Sequence, residues 1–292
     1  MSKPVMLGFV AFVLAITAAS AQNVPPQDCD RLAAHPDDPE AKAAGLPLDK
    51  IDAGKAIAAC ESAVRQNAEN ATLNFQLGRA YERAGNFAAA VHQYQKAADT
   101  NYAASQSSLG MMYVRGLGVA RDDAKALELF RRAADQGYAP GQANVGTMYQ
   151  QGRGVTKNSG EALKWYRLAG DKNYALAQLN LGLMYAYGDG VEKDDAQAVK
   201  WFRLAVEQGD AAAQSNLGDL YRTGRGVAQD HLLAFMWLDL AAQRLRGAQE
   251  QHALTNREIV ARILSAEQVA QAQEMARQCE ARNFKDCGAQ QR

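Results

Sequence analysis

The amino-acid sequence predicts an all-α fold, a right-handed α-α superhelix (solenoid) of helix-turn-helix repeats. An aliphatic residue and a glycine, followed by a tyrosine three residues after the glycine, recur at a constant interval of 36 residues, beginning at Leu109, Val145, Leu181 and Leu217. A G-x-G-V turn and a helix with regularly spaced small and aromatic residues follow each copy. A period of this size indicates stacked units, none of which buries its apolar face alone.

Residues 1–21 are predicted to be a signal peptide. Lys3 gives a positive start, an apolar run extends from Val5 to Ala18, and Ala19-Ser20-Ala21 is an A-x-A cleavage signature before Gln22. The apolar run is shorter than the roughly 20 residues of a membrane-spanning helix. We therefore expect export and no membrane span after signal removal, in the periplasm or, as the alternative, outside the cell.

Residues 22–69 are predicted to form an N-terminal segment and a capping helix. Prolines are frequent up to residue 50, so this part is expected to be extended and non-helical. Asp52 then precedes a helical pattern in which Ala56, Cys60 and Ala63 share one face. These three residues stand 34 positions before Ala90, Tyr94 and Ala97, so residues 52–66 resemble the second helix of a half repeat.

Residues 70–102 form a first complete unit. Leu77, Gly78 and Tyr81 mark one helix, and the small–aromatic–small set of Ala90, Tyr94 and Ala97 marks the next. This spacing resembles the tetratricopeptide repeat, a helix-turn-helix of 34 residues. The unit is therefore expected to stack on the capping helix.

Residues 103–246 are predicted to be four repeats with a longer turn. The turn glycines are expected to supply positive φ, and the valine after them to pack between the helices. A capping residue precedes each second helix, at Asp122, Asn158, Asp194 and Asp230. The core between the helices is assigned to Phe130, Tyr166, Phe202 and Leu238.

Residues 247–292 are predicted to be a C-terminal helical cap. A helix is expected at about 248–263, and the Ser265 to Gln268 capping box begins another that runs to about Arg282. Leu245 and Arg246 break the repeat register just before it. The two helices are expected to form the cap together.

The repeated pattern resembles the Sel-1-like repeat, a relative of the tetratricopeptide repeat. In one unit it is carried by Leu181, Gly182, Tyr185, Gly188, Gly190, Val191, Asp194, Ala198, Trp201, Phe202 and Ala205. The resemblance implies an α-solenoid whose first helices line a concave groove, and an adaptor or regulator, often in the bacterial envelope. Some exported members with a disulfide in each repeat are linked to penicillin binding or β-lactamase activity, but this chain has no cysteine between 61 and 278.

The cysteine count suggests disulfides in an exported protein. Cys29, Cys60, Cys279 and Cys287 allow three pairings. Cys29–Cys60 with Cys279–Cys287 is favoured because each pair then ties one end of the array, where a repeat lacks a neighbour. The sequence has no C-x-x-C and no histidine at ligand spacing near these cysteines, so it does not favour a metal site instead of disulfides.

Charge and motifs argue against several functions. Lys and Arg together number 32, as do Asp and Glu, so no basic excess favours nucleic acid. No G-x-S-x-G, H-E-x-x-H or Walker spacing is present, and the four histidines share no repeat register. We expect no catalytic residues, no metal, no cofactor and no nucleic-acid partner.

A protein or peptide partner is expected in the groove, bound by a monomer or weak oligomer. An arginine cluster is predicted to receive an acidic segment or a carboxylate, and the recurring asparagines either bond a partner's backbone or pair with the neighbouring unit. The groove set is Arg79, Arg83, Met111, Arg115, Asn144, Thr147, Gln151, Asn180, Leu183, Tyr187, Asn216, Asp219 and Arg222.

Three functions fit these expectations. The favoured one is a non-enzymatic periplasmic scaffold that regulates an envelope sensor or a secretion process. The alternatives are an envelope hydrolase or penicillin-binding protein and a secreted effector that binds host proteins. A chromogenic β-lactam assay distinguishes the hydrolase or penicillin-binding protein from the scaffold. The location of the protein in culture fractions distinguishes the secreted effector from the scaffold.

Overall fold

The computed structural model describes residues 26–41 and 43–287, so the predicted signal peptide lies outside the described residues. These residues form helices and turns with no strand, which confirms the α-solenoid. None of their helices is long and apolar enough to cross a bilayer. The helices are α1 (Pro26–Ala33), α2 (Ala53–Gln66), α3 (Ala71–Arg83), α4 (Phe87–Asp99), α5 (Ala103–Arg115), α6 (Asp123–Asp135), α7 (Ala139–Gln151), α8 (Ser159–Gly170), α9 (Ala175–Tyr187), α10 (Asp195–Val206), α11 (Ala211–Thr223), α12 (His231–Arg244), α13 (Ala248–Ala261) and α14 (Ala266–Ala281).

The second helix of each repeat begins at the predicted capping residue. The Asp122 carboxylate accepts a hydrogen bond from the Lys125 backbone N–H at 2.8 Å, and Asn158, Asp194 and Asp230 cap α8, α10 and α12 in the same way. Each cap satisfies a backbone donor that the helix leaves unpaired. The Ser265 capping box of α14 is also present.

The glycine of the repeated motif lets an aromatic ring lie directly on the first helix. A Cβ atom at Gly182 would stand 2.4 Å from a ring carbon of Phe202, in the second helix of the same repeat. Phe202 is 1% exposed, and alanines above and below it bring the two helices together. The predicted small–aromatic core is therefore the contact that joins the two helices of a repeat.

The G-x-G-V turn also joins one repeat to the one before it. Gly154 has φ +65°, and a Cβ there would lie 2.4 Å from the backbone oxygen of Asp123, at the start of α6. Val155 is half-buried against the core that contains Phe130. The glycine is thus required for backbone conformation and for close approach to the preceding repeat.

The N-terminal segment, defined here as residues 26–41 and 43–51, differs from the extended chain expected from the sequence. It begins with α1 and ends with a 3-10 turn at Leu48–Lys50. Cys29 and Ala33 of α1 are fully buried against α2 and α3, and the Cys29–Cys60 disulfide ties α1 to α2. This burial stabilises a helix in a proline-rich part of the chain.

The C-terminal end contains the second predicted disulfide, between Cys279 and Cys287. α13 packs on α12 and continues the alternation of helices as the first helix of a fifth unit would. α14 packs on α12, where it covers Trp237. Both helices of the predicted C-terminal cap therefore pack on α12, which supplies the apolar surface that α14 buries.

Candidate functional site

The first helices of the repeats form the inner wall of the solenoid. α5 packs on α7, α9 on α11, and α11 on α13, whereas the successive second helices α6, α8 and α10 lie farther apart within the described part of the chain. Helices that approach more closely lie on the inside of a curve. The concave surface is therefore built from α5, α7, α9, α11 and α13.

Arg79, a predicted groove residue, is not on the surface. Its side chain is buried, with 3% exposure. One guanidinium nitrogen donates to the backbone oxygens of Ala33, at 2.7 Å, and Ala34, and the other donates to that of Leu46 at 2.6 Å. The prediction that Arg79 meets a partner is corrected, since its donors hold the chain's own N-terminal segment.

That segment covers the beginning of the inner wall. Gln76 in α3 donates to Asp30, and the Tyr102 hydroxyl before α5 donates to Asp38. His35 contacts the Phe75 ring, and burial, together with the charge of Arg79, lowers the pKa of His35 to about 4. The available groove therefore begins beyond these contacts.

Arg83 and Arg115 remain exposed at this end. Arg83 donates one hydrogen bond, from Nε to the Ile51 oxygen at 3.3 Å. Within residues 26–41 and 43–287, neither arginine forms an ion pair. Their charges are thus available to an acidic group at the entrance of the groove.

The recurring asparagines do not behave alike. Asn144 donates to the Ser107 hydroxyl on the preceding first helix at 3.1 Å, and Asn216 donates to the Ala212 oxygen of its own helix at 2.8 Å. Asn180, between them, is half-buried, and its side-chain amide has no hydrogen bond to another described residue. Only at Asn144 is the amide paired with the neighbouring unit.

The middle of the wall is apolar. Leu176, Asn180, Leu183 and Tyr187 follow one another at four, three and four residues and so share one face of α9, which we call the α9 stripe. Leu176 is 42% exposed and Tyr187 is 76% exposed, whereas Leu183 is half-buried. Asn180, Leu183 and Tyr187 are among the predicted groove residues, whereas Leu176 was not predicted.

Polar and partly buried side chains border the α9 stripe on the N-terminal side. Thr147 lies beside the Tyr166 hydroxyl at 3.0 Å and bonds the Ala143 oxygen, so it faces its own repeat. Met111 is half-buried against the core, and Gln151 is exposed. Of these three predicted groove residues, only Gln151 is exposed.

A polar cluster borders the stripe on the C-terminal side. The Asp219 carboxylate accepts from Arg222 and Asn256, each at 3.2 Å, and lies 2.8 Å from Nε2 of His252. A cavity of about 210 Å³ beside it is lined by Asn216 and His252. His252 and Asn256 are on α13, outside the repeat register, so no repeated motif indicated them.

The chemistry of this cluster is that of a polar contact surface. A histidine–carboxylate pair becomes a catalytic base when it faces a nucleophile. Here the Asp219–His252 pair is hydrogen-bonded instead to the side chains of Arg222 and Asn256. In the described ranges, no three His, Cys, Asp or Glu side chains are grouped to hold a metal ion.

A ladder of arginines and tyrosines was also missed. An arginine in each of α6, α8 and α10 stacks on, and donates to, a tyrosine in the next first helix, and the pairs are Arg131–Tyr149, Arg167–Tyr185 and Arg203–Tyr221. Their 36-residue recurrence was the available signal. The ladder joins successive repeats.

Comparison with known proteins agrees with this architecture. The Sel1 repeat family matches residues 103–138, 139–174, 175–210 and 211–244. A protective antigen present in uropathogenic Escherichia coli strains, which displays an SLR fold, is similar over 80% of this chain at 31% identity and a TM-score of 0.69. The match covers 50% of that antigen, so the chain spans about half its length.

A Sel1 repeat protein from Oxalobacter formigenes is similar over 75% of this chain and 94% of its own, at 28% identity and a TM-score of 0.63. No protein with a curated description matched the sequence.

Proposed function

The chain is a protein of Sel1 repeats, and from this premise we propose that it is a non-enzymatic scaffold that binds a protein or peptide in its concave groove. Stacked helical repeats present an extended concave surface suited to such partners. The chemistry of this surface specifies the partner further.

The exposed α9 stripe carries the proposal. Tyr187 is 76% exposed, and Leu176 lies on the same face of the first helix. A large exposed apolar group bordered by polar residues is typical of an interaction site, and tyrosine is enriched among residues that dominate binding energy. The partner is proposed to place an apolar side chain against Leu183 and Tyr187.

Charge orients the partner along the groove. Arg83 and Arg115 form a positive entrance, and Asp219 with Arg222 lies at the opposite end. An extended segment with an acidic group at the entrance pairs with the arginines, while Gln151 and Asn180 bond its backbone. Met111, Asn144, Thr147 and Asn216 shape the wall between these contacts.

The scaffold is proposed to act in the periplasm, as a regulator of an envelope sensor or a secretion process. Both disulfides fit an oxidising compartment. Fractionation of cells and culture medium tests the location, since recovery of the protein only in the medium contradicts a periplasmic regulator.

Binding is tested by capture from envelope extract with crosslinking, followed by titration of the captured partner. We expect Tyr187→Ala to weaken binding about tenfold, as loss of a central aromatic contact does. Leu168→Ala is the matched control, because Leu168 is 48% exposed but lies on the second helix α8.

Arg83→Glu with Arg115→Glu is expected to weaken the same complex, more strongly at low salt. The proposal fails if nothing saturable is captured. It also fails if Tyr187→Ala and Leu168→Ala have equal effects on the affinity.

A further inference from the structure

The starts of the first helices differ in how they are capped. α5, α7 and α9 begin after Tyr102, Tyr138 and Tyr174, none of which caps its helix through its side chain. α11 begins after Asp210, which accepts from the Ala213 N–H at 2.7 Å. At the starts of these three first helices, no N-cap side chain accepts a hydrogen bond from the backbone.

A cavity of about 400 Å³ lies between the N-terminal segment and the starts of α7 and α9. We call it the tyrosine cavity. Its aromatic lining is Tyr138 and Tyr174, and Pro39 and Pro140 add apolar surface. This volume is within the range of sites that hold small molecules, and the cavity lies at the helix starts, apart from the α9 stripe.

Opposite charges line this cavity. Asp37 and Glu40 contribute carboxylates from the N-terminal segment, and Lys172 contributes an ammonium group beside the start of α9. Among the ion pairs of the described residues, none involves these three side chains. Lys172 instead donates to the backbone oxygen of Gly137. A ligand that carries both charges would satisfy both groups.

Tyr138 adds a largely buried ring to the lining of the cavity. Its side chain is 8% exposed. Burial, and then the carboxylate of Asp37, raise the pKa of Tyr138, so its side chain stays neutral and the ring presents apolar surface to a ligand.

We propose that the tyrosine cavity binds a free α-amino acid with an aromatic or large apolar side chain. The ammonium group of the ligand lies by Asp37 and Glu40, and its carboxylate lies by Lys172. The side chain packs between Tyr138 and Tyr174. This site is independent of the proposed groove, so either can fail without the other.

Three ligands of the same shape test the assignment by calorimetry on the purified protein. L-phenylalanine carries both charges, phenethylamine only the positive one and 3-phenylpropanoate only the negative one. We expect saturable binding of L-phenylalanine at least about tenfold tighter than that of either analogue, since each lost charge removes a charge-assisted hydrogen bond. Equal affinity for either analogue, or no saturable binding, overturns the proposal.

Variants identify the site. Asp37→Asn with Glu40→Gln, and separately Lys172→Met, are each expected to weaken L-phenylalanine about tenfold. Asp49→Asn is the control, because Asp49 is an exposed acid of the same segment outside the cavity. Tighter binding to Lys172→Met would indicate a site for cations and overturn the proposal, as would unchanged binding to both variants. Thermal melting of each variant verifies that it is folded.

Discussion

Arg153 in the turn of the second Sel1 repeat makes a forked contact with Asp123 at the start of α6. Its Nη2 donates to Oδ1 at 2.5 Å and its Nε donates to Oδ2 at 3.2 Å, across the boundary between two repeats. Nη2 also reaches the Val114 oxygen at 3.1 Å. Hydrogen bonds from Arg153, and then Arg121, lower the pKa of Asp123 to about 2.

Arg153→Ala is expected to lower the free energy of unfolding by about 1–2 kcal/mol, because it removes a forked hydrogen bond between repeats. Arg121→Ala is the control: Arg121 contacts the same carboxylate at 2.8 Å, but its side chain is 61% exposed, so its loss is expected to cost little. Urea denaturation measures both. Equal losses would contradict the prediction.

The same pair predicts an acid response. Because the folded pKa of Asp123 lies below its ordinary value, the contribution of the pair is present above about pH 4 and is lost as the pH falls toward 2. Urea denaturation at several pH values is expected to show a smaller acid-induced loss in Arg153→Ala than in the parent chain.

Gly154→Ala tests whether the turn needs glycine for its close approach to the preceding repeat as well as for its positive φ. Gly85→Ala is the matched control, since Gly85 has φ +77° and a Cβ atom added there would meet nothing within 4 Å, whereas Gly154 has φ +65° and faces the Asp123 oxygen. We expect Gly85→Ala to cost about 1–2 kcal/mol and Gly154→Ala clearly more. Similar midpoints in urea would show that close approach adds nothing.

Removal of the Cys29–Cys60 disulfide is expected to destabilise the chain more than removal of Cys279–Cys287. The separations are 31 and 8 residues, which in the chain-entropy model correspond to about 3–4 and about 2–3 kcal/mol. Paired Cys→Ala variants are compared by thermal melting. Hydrogen exchange is expected to rise in the N-terminal segment for the first variant alone.

Acid is expected to loosen the N-terminal segment through His35. Its Nδ1 accepts from the Asp37 N–H at 3.0 Å, and its pKa is lowered from 6.5 to about 4, mainly by burial. The unfolded form therefore binds the proton first, and stability decreases as the pH falls from about 6.5 to about 4.

The amide of Leu46, which donates to the Ala34 oxygen at 2.8 Å, reports this change by hydrogen exchange. Its protection is expected to fall over that pH range in the parent chain and to stay nearly constant in His35→Phe. His92→Phe, at an exposed histidine, is the control. Equal pH dependence in all three proteins would contradict the role of His35.

The repeats were predictable from the sequence because their contacts recur within short intervals. Gly182 and Phe202 meet inside one unit, and the capping residue of each second helix bonds an N–H two or three residues later. The 36-residue period therefore predicted the order of the helices, the positions of the turn glycines and the core residues. The disulfide pairing followed from the position of the cysteines at the two ends.

The N-terminal segment was not predictable in this way. Arg79 bonds Ala33, 46 positions away, and Tyr102 bonds Asp38, 64 positions away. Helical periodicity indicates which way Arg79 points, but the segment that covers it lies outside every repeat. His252 was missed for a similar reason, since α13 carries no repeated motif.

The docking of the N-terminal segment imposes an order on biosynthesis. Asp38 leaves the ribosome well before Tyr102, with which it pairs, so the segment waits undocked while later helices are made. Cys60 is meanwhile the first thiol that Cys29 can meet, since Cys279 and Cys287 follow only near the end of the chain. A chain that enters an oxidising compartment with its N-terminus first therefore brings Cys29 and Cys60 together before Cys279 and Cys287 arrive.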